Sequence, residues 1–463
     1  MNYKETICAI ASSQGGAIGV VRVSGAKAFD AAEHIFRPII SGKLLHIQKG
    51  YTQIYGRIFD PEKQEDIDDV LVSVYHTPHS YTGEDSVEIT CHGSAYILQR
   101  VIQLLIDAGC KMAQPGEYTQ RAFLNGKMDL TQAEAVADLI ASSSAATHRL
   151  AMSQMRGHFS DEMKELRDKL LKFTSMIELE LDFSEEDVEF ASRTDLKDLA
   201  SYIDKTITHL VETFSLGNAI KTGVPVAIIG QTNAGKSTLL NYLVGEERAI
   251  VSEIHGTTRD VIEDTINIDG ILFRFIDTAG IRRSTDRIEN LGIQRTFQKL
   301  DQADIVLWIV DVTCPIETLE KLKAEILPKC EGKQLVIVFN KIDLVTDLTP
   351  VESLFKDVPA SKIAISAKSQ IHTTELKELL LKAAQIPQIS QSDVIVTNVR
   401  HYEALSRALV AIKQVEDGLK NNIPGDLLAE DLHMCLSELG EITGTITSGE
   451  VLNNIFKNFC IGK

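Results

Sequence analysis

Gly230-Gln-Thr-Asn-Ala-Gly235-Lys236-Ser237 lies between the apolar run 224–229 and a helix-forming stretch, STLLNYLVG, that continues from Ser237. Strand, glycine-rich loop and helix in that order make a phosphate cradle. Glycines let the backbone wrap closely, the loop N–H groups and the helix N-terminus supply partial positive charge, and Lys236 reaches the terminal phosphates. Ser237 is placed to ligate Mg2+. Taken alone, the loop serves ATP as well as GTP, and three further motifs decide between them. Asp277-Thr278-Ala279-Gly280 ends the apolar run 271–276, where a carboxylate can hold the magnesium shell and a glycine can sense the γ-phosphate. Asn340-Lys341-Ile342-Asp343 ends the run 335–339. Asp343 can accept hydrogen bonds from the ring N–H and amino group of guanine, whereas adenine presents an acceptor at that ring position. Ser366-Ala367-Lys368 follows 362–365 and offers backbone N–H groups to the guanine carbonyl. The four motifs predict a Ras-like P-loop GTPase domain over 223–385, built on a mostly parallel sheet and binding GTP or GDP.

The expected nucleotide contacts begin with Asn233, Ala234, Gly235, Lys236, Ser237 and Thr238. They continue through a polar first switch loop, Ser252, Glu253, Ile254, His255, Gly256, Thr257 and Thr258. There, one threonine hydroxyl completes the Mg2+ shell when the γ-phosphate is present, and Thr258 is the choice. Ras-like enzymes orient the attacking water with a glutamine just after the DTAG-type turn, but this chain has Ile281. Arg259, Arg282 and Arg283 are nearby candidates for an arginine finger. Asn233, with Thr257 and switch-loop carbonyls, can instead hold a monovalent cation that supplies the same charge, although a plain loop cap explains Asn233 equally well.

At 463 residues the chain holds two to four domains, and its 44% hydrophobic content with mean hydropathy near zero is that of soluble globular protein. No apolar run approaches the roughly 18 residues of a membrane span, and the start shows no signal-peptide pattern. The seven cysteines are scattered without a CxxC pair, which argues against a disulfide framework or a zinc site. A cytoplasmic location is expected. A net charge of −18 has the wrong sign for a broad nucleic-acid-binding face, so an RNA substrate would be gripped with a partner's help.

The first 120 residues mix short strand-like runs (17–23, 69–75, 86–91) with helical stretches (26–35, 95–108) and predict an α+β domain. Helical periodicity then marks 133–140, 163–179 and 196–214, and again 402–419, 427–439 and 451–459 beyond the GTPase domain. Helical segments on both sides of an α/β unit predict one bundle, 121–222 plus 386–463, with a domain inserted. The acidic stretch 178–189 reads as a solvated helix end and is given no metal.

Beyond the nucleotide site, further stretches carry a more specific likeness: Ser80-Tyr-Thr-Gly-Glu-Asp85, Gln114-Pro-Gly-Glu117, Arg121-Ala-Phe-Leu-Asn125, Leu130-Thr-Gln-Ala-Glu-Ala135, Gly256-Thr-Thr-Arg-Asp260 and the terminal Cys460-Ile-Gly-Lys463. With them the chain resembles the tRNA-modification GTPases of the MnmE (TrmE) family nearly end to end. The resemblance implies a multidomain α/β protein that is a homodimer through its N-terminal domain. It also implies GTP hydrolysis stimulated by K+ when two GTPase domains meet. Asn233, Ser252, Ile254 and Thr257 would surround K+, Ser237 and Thr258 would hold Mg2+, and Glu289 would help orient the attacking water. A flavoprotein partner, MnmG (GidA), would act with it to place an aminomethyl- or carboxymethylaminomethyl-type group on C5 of the wobble uridine of certain tRNAs. The one-carbon unit would come from a tetrahydrofolate in its 5-formyl or methylene form, bound in the N-terminal domain near Arg22, Glu88, Lys127 and Lys463. Cys460 becomes a candidate for chemistry beside it. The chain departs from the family wording at Gln231-Thr232, positions expected to contribute backbone only, and at 281–284.

Three rivals share parts of this pattern. A ribosome-assembly GTPase should carry a basic RNA-binding appendage, and the acidic balance counts against it. A folate enzyme timed by its GTPase domain and a pure interaction switch differ from the main reading in which component does the chemistry.

Overall fold

The structure, a computed structural model, describes the chain except residues 1–4, 14, 41, 183–192, 247–263, 277–299, 301, 388–392, 448, 458 and 463. It divides into two compact units, one of Met1–Ile140, Gln154–Ile203 and Val410–Lys463, the other of Ala141–Ser153 and Asp204–Leu409.

The first unit contains a seven-stranded sheet of β1 (Ile7–Ile10), β2 (Ile18–Ser24), β3 (Phe36–Pro38), β4 (Thr52–Asp60), β5 (Glu65–Tyr75), β6 (Ser86–His92) and β7 (Lys111–Met112). The strand order is β3-β4-β5-β6-β2-β1-β7, antiparallel except for the β1–β7 pair. Along β4 every second residue from Ile54 is buried, the period of a strand with one face on the core. Helices α1 (Ala28–Ile35) and α2 (Ala95–Asp107) cover that face with apolar side chains at helical spacing, Ala28, Ala32 and Ile35 on one and Leu98, Val101, Ile102 and Leu105 on the other. The unit continues through α3 (Glu117–Leu124), α4 (Leu130–Ala141) and α6 (His158–Asp182), and later through α13 (Gly425–Thr443) and α14 (Gly449–Phe456). On α6 the residues Phe159, Met163, Leu166, Leu170, Phe173 and Ile177 are fully buried at alternating four- and three-residue steps. That narrow stripe packs along α13, whose Leu428, Leu432, Cys435 and Leu439 repeat the spacing.

The second unit holds a six-stranded sheet of β8 (Val224–Ile229), β9 (Asp264–Ile268), β10 (Ile271–Phe275), β11 (Ile305–Asp311), β12 (Gln334–Asn340) and β13 (Ser361–Ile365). Its order is β13-β12-β11-β8-β10-β9, parallel throughout except for the β9–β10 hairpin. All seven residues of β11 are buried, as expected of a central parallel strand covered on both faces. One face packs on α8 (Lys236–Glu246) and α11 (Thr373–Ala384) through Leu239, Leu243, Leu376 and Leu380. The other packs on α9 (Ile316–Ile326) and α10 (Thr349–Leu354) through Leu319, Ile326, Val351 and the following Phe355. The expected GTPase architecture is therefore present, a doubly wound, mostly parallel sheet. Helices α5 (Ala145–Met155), α7 (Arg193–Thr222) and α12 (Val399–Asn421) lie partly in this unit.

Several elements lie outside the stretches that the sequence pattern marks: β1, β3, β4, β7, β9, β11, α3, α9, α10 and α11. The last helix ends at Phe456, whereas the periodicity runs on to 459.

Candidate nucleotide-binding and active site

β8 delivers the chain to Gly230, and α8 begins at Lys236, so the glycine-rich loop spans the gap between a strand end and a helix N-terminus. The loop is closed by contacts between its own residues. Lys236 Nζ donates to the carbonyls of Gly230 at 2.6 Å and Gln231 at 2.5 Å, and Ala234 N donates to Gln231 O at 3.3 Å. Burial pulls the Lys236 ammonium down to about 8. The ammonium is thus partly desolvated, with the two loop carbonyls as its acceptors. Asn233 sits at the loop's exposed tip with φ 65°, a left-handed conformation that asparagine tolerates better than most residues.

Asn340, 2% exposed at the end of β12, joins this loop to its neighbour. Its Nδ2 donates to Ala234 O at 2.7 Å, and its Oδ1 accepts from Ala367 N at 2.9 Å. One side-chain amide thus fixes the phosphate loop against the Ser366-Ala367-Lys368 turn, a joining role that motif order alone does not reveal. The same closeness accounts for Gly235. With φ 99°, a Cβ there would lie 2.1 Å from Asn340 Nδ2. Asp343 stands exposed in the turn Ile342–Leu344, two residues past Lys341, whose Nζ meets Asp311 Oδ2 at 2.5 Å. Ser366 is buried and exchanges backbone hydrogen bonds with Ile371, while Lys368 is exposed.

Asn233, Ala234, Gly235, Lys236, Ser237, Thr238, Asn340, Lys341, Asp343, Ser366, Ala367 and Lys368 thus lie at the ends of β8, β12 and β13 and the start of α8. Ser252, Glu253, Ile254, His255, Gly256, Thr257, Thr258, Asp277, Thr278, Ala279, Gly280 and Glu289 lie outside the described residues. The structure adds a contact that the sequence did not suggest: Cys314 Sγ donates to Gln231 Oε1 at 2.9 Å. The Gln231 side chain therefore takes part where only its backbone was expected.

The first unit gathers a second set of polar residues. Arg22 on β2 and Glu88 on β6 are cross-strand partners, joined at 2.9 Å (Nε) and 2.8 Å (Nη2), both to Oε1. The other oxygen of Glu88, Oε2, has the Tyr75 hydroxyl at 3.5 Å. The Arg22 guanidinium lies 5.4 Å from the Tyr81 ring and 5.5 Å from the Tyr118 ring, and its Nη1 donates to Gly462 O at 3.4 Å. Burial pushes the Tyr118 phenol well up, which keeps it a neutral donor to Arg22 O at 2.8 Å. Cys460 is exposed and its carbonyl accepts from Gly116 N at 3.3 Å. Gly116 has φ 68°, and a Cβ there would meet Phe456 O at 2.8 Å and Phe459 Cβ at 2.9 Å, so only glycine lets the turn approach these two residues so closely. Lys127 donates to Pro78 O at 2.9 Å on the 77–85 loop, and Lys463 lies outside the described residues.

What fixes this region is Arg121, which in the sequence stands inside the 121–125 motif with no role of its own. Its side chain is 2% exposed, and Nη1 donates to Glu5 O (2.9 Å) and to Glu84 Oε2 (3.1 Å), while Nη2 donates to Glu117 Oε1 (2.7 Å). Ser24 Oγ also donates to Glu84, at 2.8 Å. Three separated motifs, 80–85, 114–117 and 121–125, are therefore parts of one buried ion cluster. No signal in a single sequence separates such an arginine from a surface charge.

Residues 130–460 match the family described as MnmE helical domain, and residues 6–127 match GTP-binding protein TrmE N-terminus. A tRNA modification GTPase MnmE from Bacteroides thetaiotaomicron is 63% identical over 465 aligned positions, covering 99% of this chain and 100% of the relative. Another from Bacteroides fragilis is 64% identical at the same coverage. Among solved structures, GDP·AlF4−-bound Era of Aquifex aeolicus is similar over 40% of this chain and 66% of its own, with 28% identity and a TM-score of 0.28.

Proposed function

The chain belongs to the MnmE family of tRNA-modification GTPases, and from that premise we propose that it spends GTP to help install an aminomethyl- or carboxymethylaminomethyl-type group on C5 of the wobble uridine of certain tRNAs. It hydrolyses GTP to GDP and phosphate. A flavoprotein partner of the MnmG (GidA) type shares the tRNA and the chemistry, consistent with a net charge of −18 that makes a broad RNA grip by this chain alone unfavourable. The observation that carries the reading is the Asn340 joint. It supports a site in which the phosphate loop and the guanine-reading turn act as one body.

In that site Lys236 leaves neutral carbonyls for phosphate oxygens, and Asp343 takes the guanine ring N–H and amino group. Ser237 and Thr258 would hold Mg2+, which neutralises phosphate charge when bound. Asn233, Ser252, Ile254 and Thr257 would hold K+. Of these, Asn233 is described, and its exposed left-handed position at the loop tip fits a side-chain oxygen offered to a cation. Glu289 would orient the water.

The Arg22–Glu88 set fits a tetrahydrofolate. Both strong bonds of the pair use Oε1, so Oε2 keeps acceptor capacity for pterin N–H groups, and two tyrosine rings flank the guanidinium. Lys127 and Lys463 suit the glutamate tail. When bound, the folate supplies the one-carbon unit. Cys460 lies near enough in sequence to Gly462, which Arg22 touches, to stand beside it. Dimer formation through residues 1–120 is supported by exposed apolar side chains such as Tyr55 and Leu71, cross-strand partners on β4 and β5. The proposed layout is completed by a helical domain of 121–222 and 386–463 with the GTPase domain inserted over 223–385, in a cytoplasmic protein.

The test is mass spectrometry of tRNA nucleosides from cells lacking the protein, complemented with the intact gene or with Asp343→Asn. Loss of the C5 wobble modification that only the intact gene restores is the expected result. A nucleoside profile unchanged by the deletion would overturn the tRNA reading and favour the interaction switch.

A further inference from the structure

We infer that Asp311 is a positioning residue for the guanine end of the nucleotide site, acting through Lys341. The inference deepens the guanine-site assignment of Lys341 and Asp343 and rests on it. β11 and β12 run parallel in continuous register, which sets Asp311 directly beside Asn340 as the last residues of neighbouring strands. Val312 N then donates to Asn340 O at 3.2 Å and extends the pairing one step past the strand ends. Lys341 follows with φ 71°, a left-handed conformation that L side chains adopt uncommonly. With that backbone its side chain reaches β11, and Nζ lies 2.5 Å from Asp311 Oδ2.

The acceptor is itself immobilised. Asp311 Oδ1 accepts from Thr313 N at 3.0 Å and from Thr313 Oγ1 at 2.7 Å, so the carboxylate is locked by the turn that follows its own strand. Its side chain is 9% exposed and that of Lys341 is 28%, a sheltered pair rather than a rim contact. Burial works to raise the Asp311 carboxyl, but the hydrogen bonds from Lys341 and Thr313 outweigh it and hold the group below its usual range. It is ionised at neutral pH.

The segment 340–343 is thereby held from two sides. Asn340 ties it to the phosphate loop and to Ala367, and Lys341 ties it to β11. Asp343 stands exposed, so its aim follows from how firmly the two residues before the turn are fixed. Removing the Asp311 charge leaves a left-handed lysine without its side-chain contact to β11. The guanine reader then samples orientations that a bound nucleotide must narrow, and the cost falls on affinity rather than on the hydrolytic step.

The experiment compares full-length wild type with Asp311→Asn, Lys341→Met and the double variant, reading the Kd for GDP, the KM and kcat for GTP, and the melting temperature without nucleotide. Asp311→Asn should raise Kd and KM about tenfold and leave kcat within about twofold. In the Lys341→Met background it should add nothing further. Asp311→Glu keeps the charge with one extra methylene and should recover part of the affinity, and it carries the same test should the asparagine variant lower the melting temperature steeply. Wild-type affinity in Asp311→Asn, or an effect that adds fully to that of Lys341→Met, overturns the inference. Wild-type affinity in Lys341→Met instead removes Lys341 from the guanine site, a separate failure.

Discussion

Nucleotide binding by this chain should take up a proton at mildly alkaline pH, because of where Lys236 is kept. In the free protein, burial lowers its ammonium to about 8, while the phosphates of a bound nucleotide return it toward the ordinary lysine range near 10.5. At pH 8.0 about half of the free protein carries a neutral Lys236, so binding GDP should draw in about 0.5 proton per site. Between pH 7.0 and 8.5 the protonated fraction falls from about nine-tenths to about one quarter, and apparent affinity should fall about fourfold. Isothermal calorimetry at pH 8.0 in two buffers of different ionisation enthalpy measures the uptake directly. Lys236→Arg is the control, since guanidinium stays charged and removes the lysine's contribution while leaving that of the guanine ring. The sign for the free protein is opposite. Between pH 8 and 10.5 the unfolded lysine binds more protons than the folded one, so folding stability should rise with pH through that window while affinity falls. No proton uptake at pH 8.0, or an uptake equal in Lys236→Arg, would refute the reasoning.

Asn340→Ala deletes a donor and an acceptor from a buried joint and should destabilise the free protein by about 2–4 kcal/mol, read by thermal melting, and weaken GDP binding at least tenfold. Arg121→Met leaves two carboxylates in a site built around a cation and should cost about 3–5 kcal/mol in urea denaturation, with Arg121→Lys intermediate. GTP hydrolysis should be faster in potassium than in sodium at equal ionic strength, approaching about 10³-fold if the cation replaces an arginine finger, and equal rates would sink the K+ reading.

The parts legible in the sequence are those whose physics is local. The phosphate loop declares itself because glycine, lysine and hydroxyl must follow one another between a strand and a helix, and the proposed role of Asp343 comes from the paired acceptor that guanine needs. β11 carries no motif at its end, and a run buried on both faces has no alternation to betray it, although it is the strand on which Asp311 and the rest of the sheet depend. The joining role of Asn340 depends on Ala234, 106 residues away, and on Ala367, so no window along the chain contains it. The overextended last helix has a similar cause: Phe459 continues the apolar spacing, yet its backbone N–H bonds to Phe456 O in a turn.

Arg121 also bears on how this protein can drift. Its guanidinium is shared by Glu84, 37 residues upstream, by Glu117, four residues upstream, and by the Glu5 carbonyl. A lineage that loses either glutamate alone weakens the compensation of a buried positive charge, and one that loses the arginine first strands two negative ones. Each single step passes through a destabilised intermediate. Substitutions at 84, 117 and 121 are therefore expected to travel together or not at all, and chimeras that draw these positions from distant parents should fold poorly even when each segment is sound in its own background.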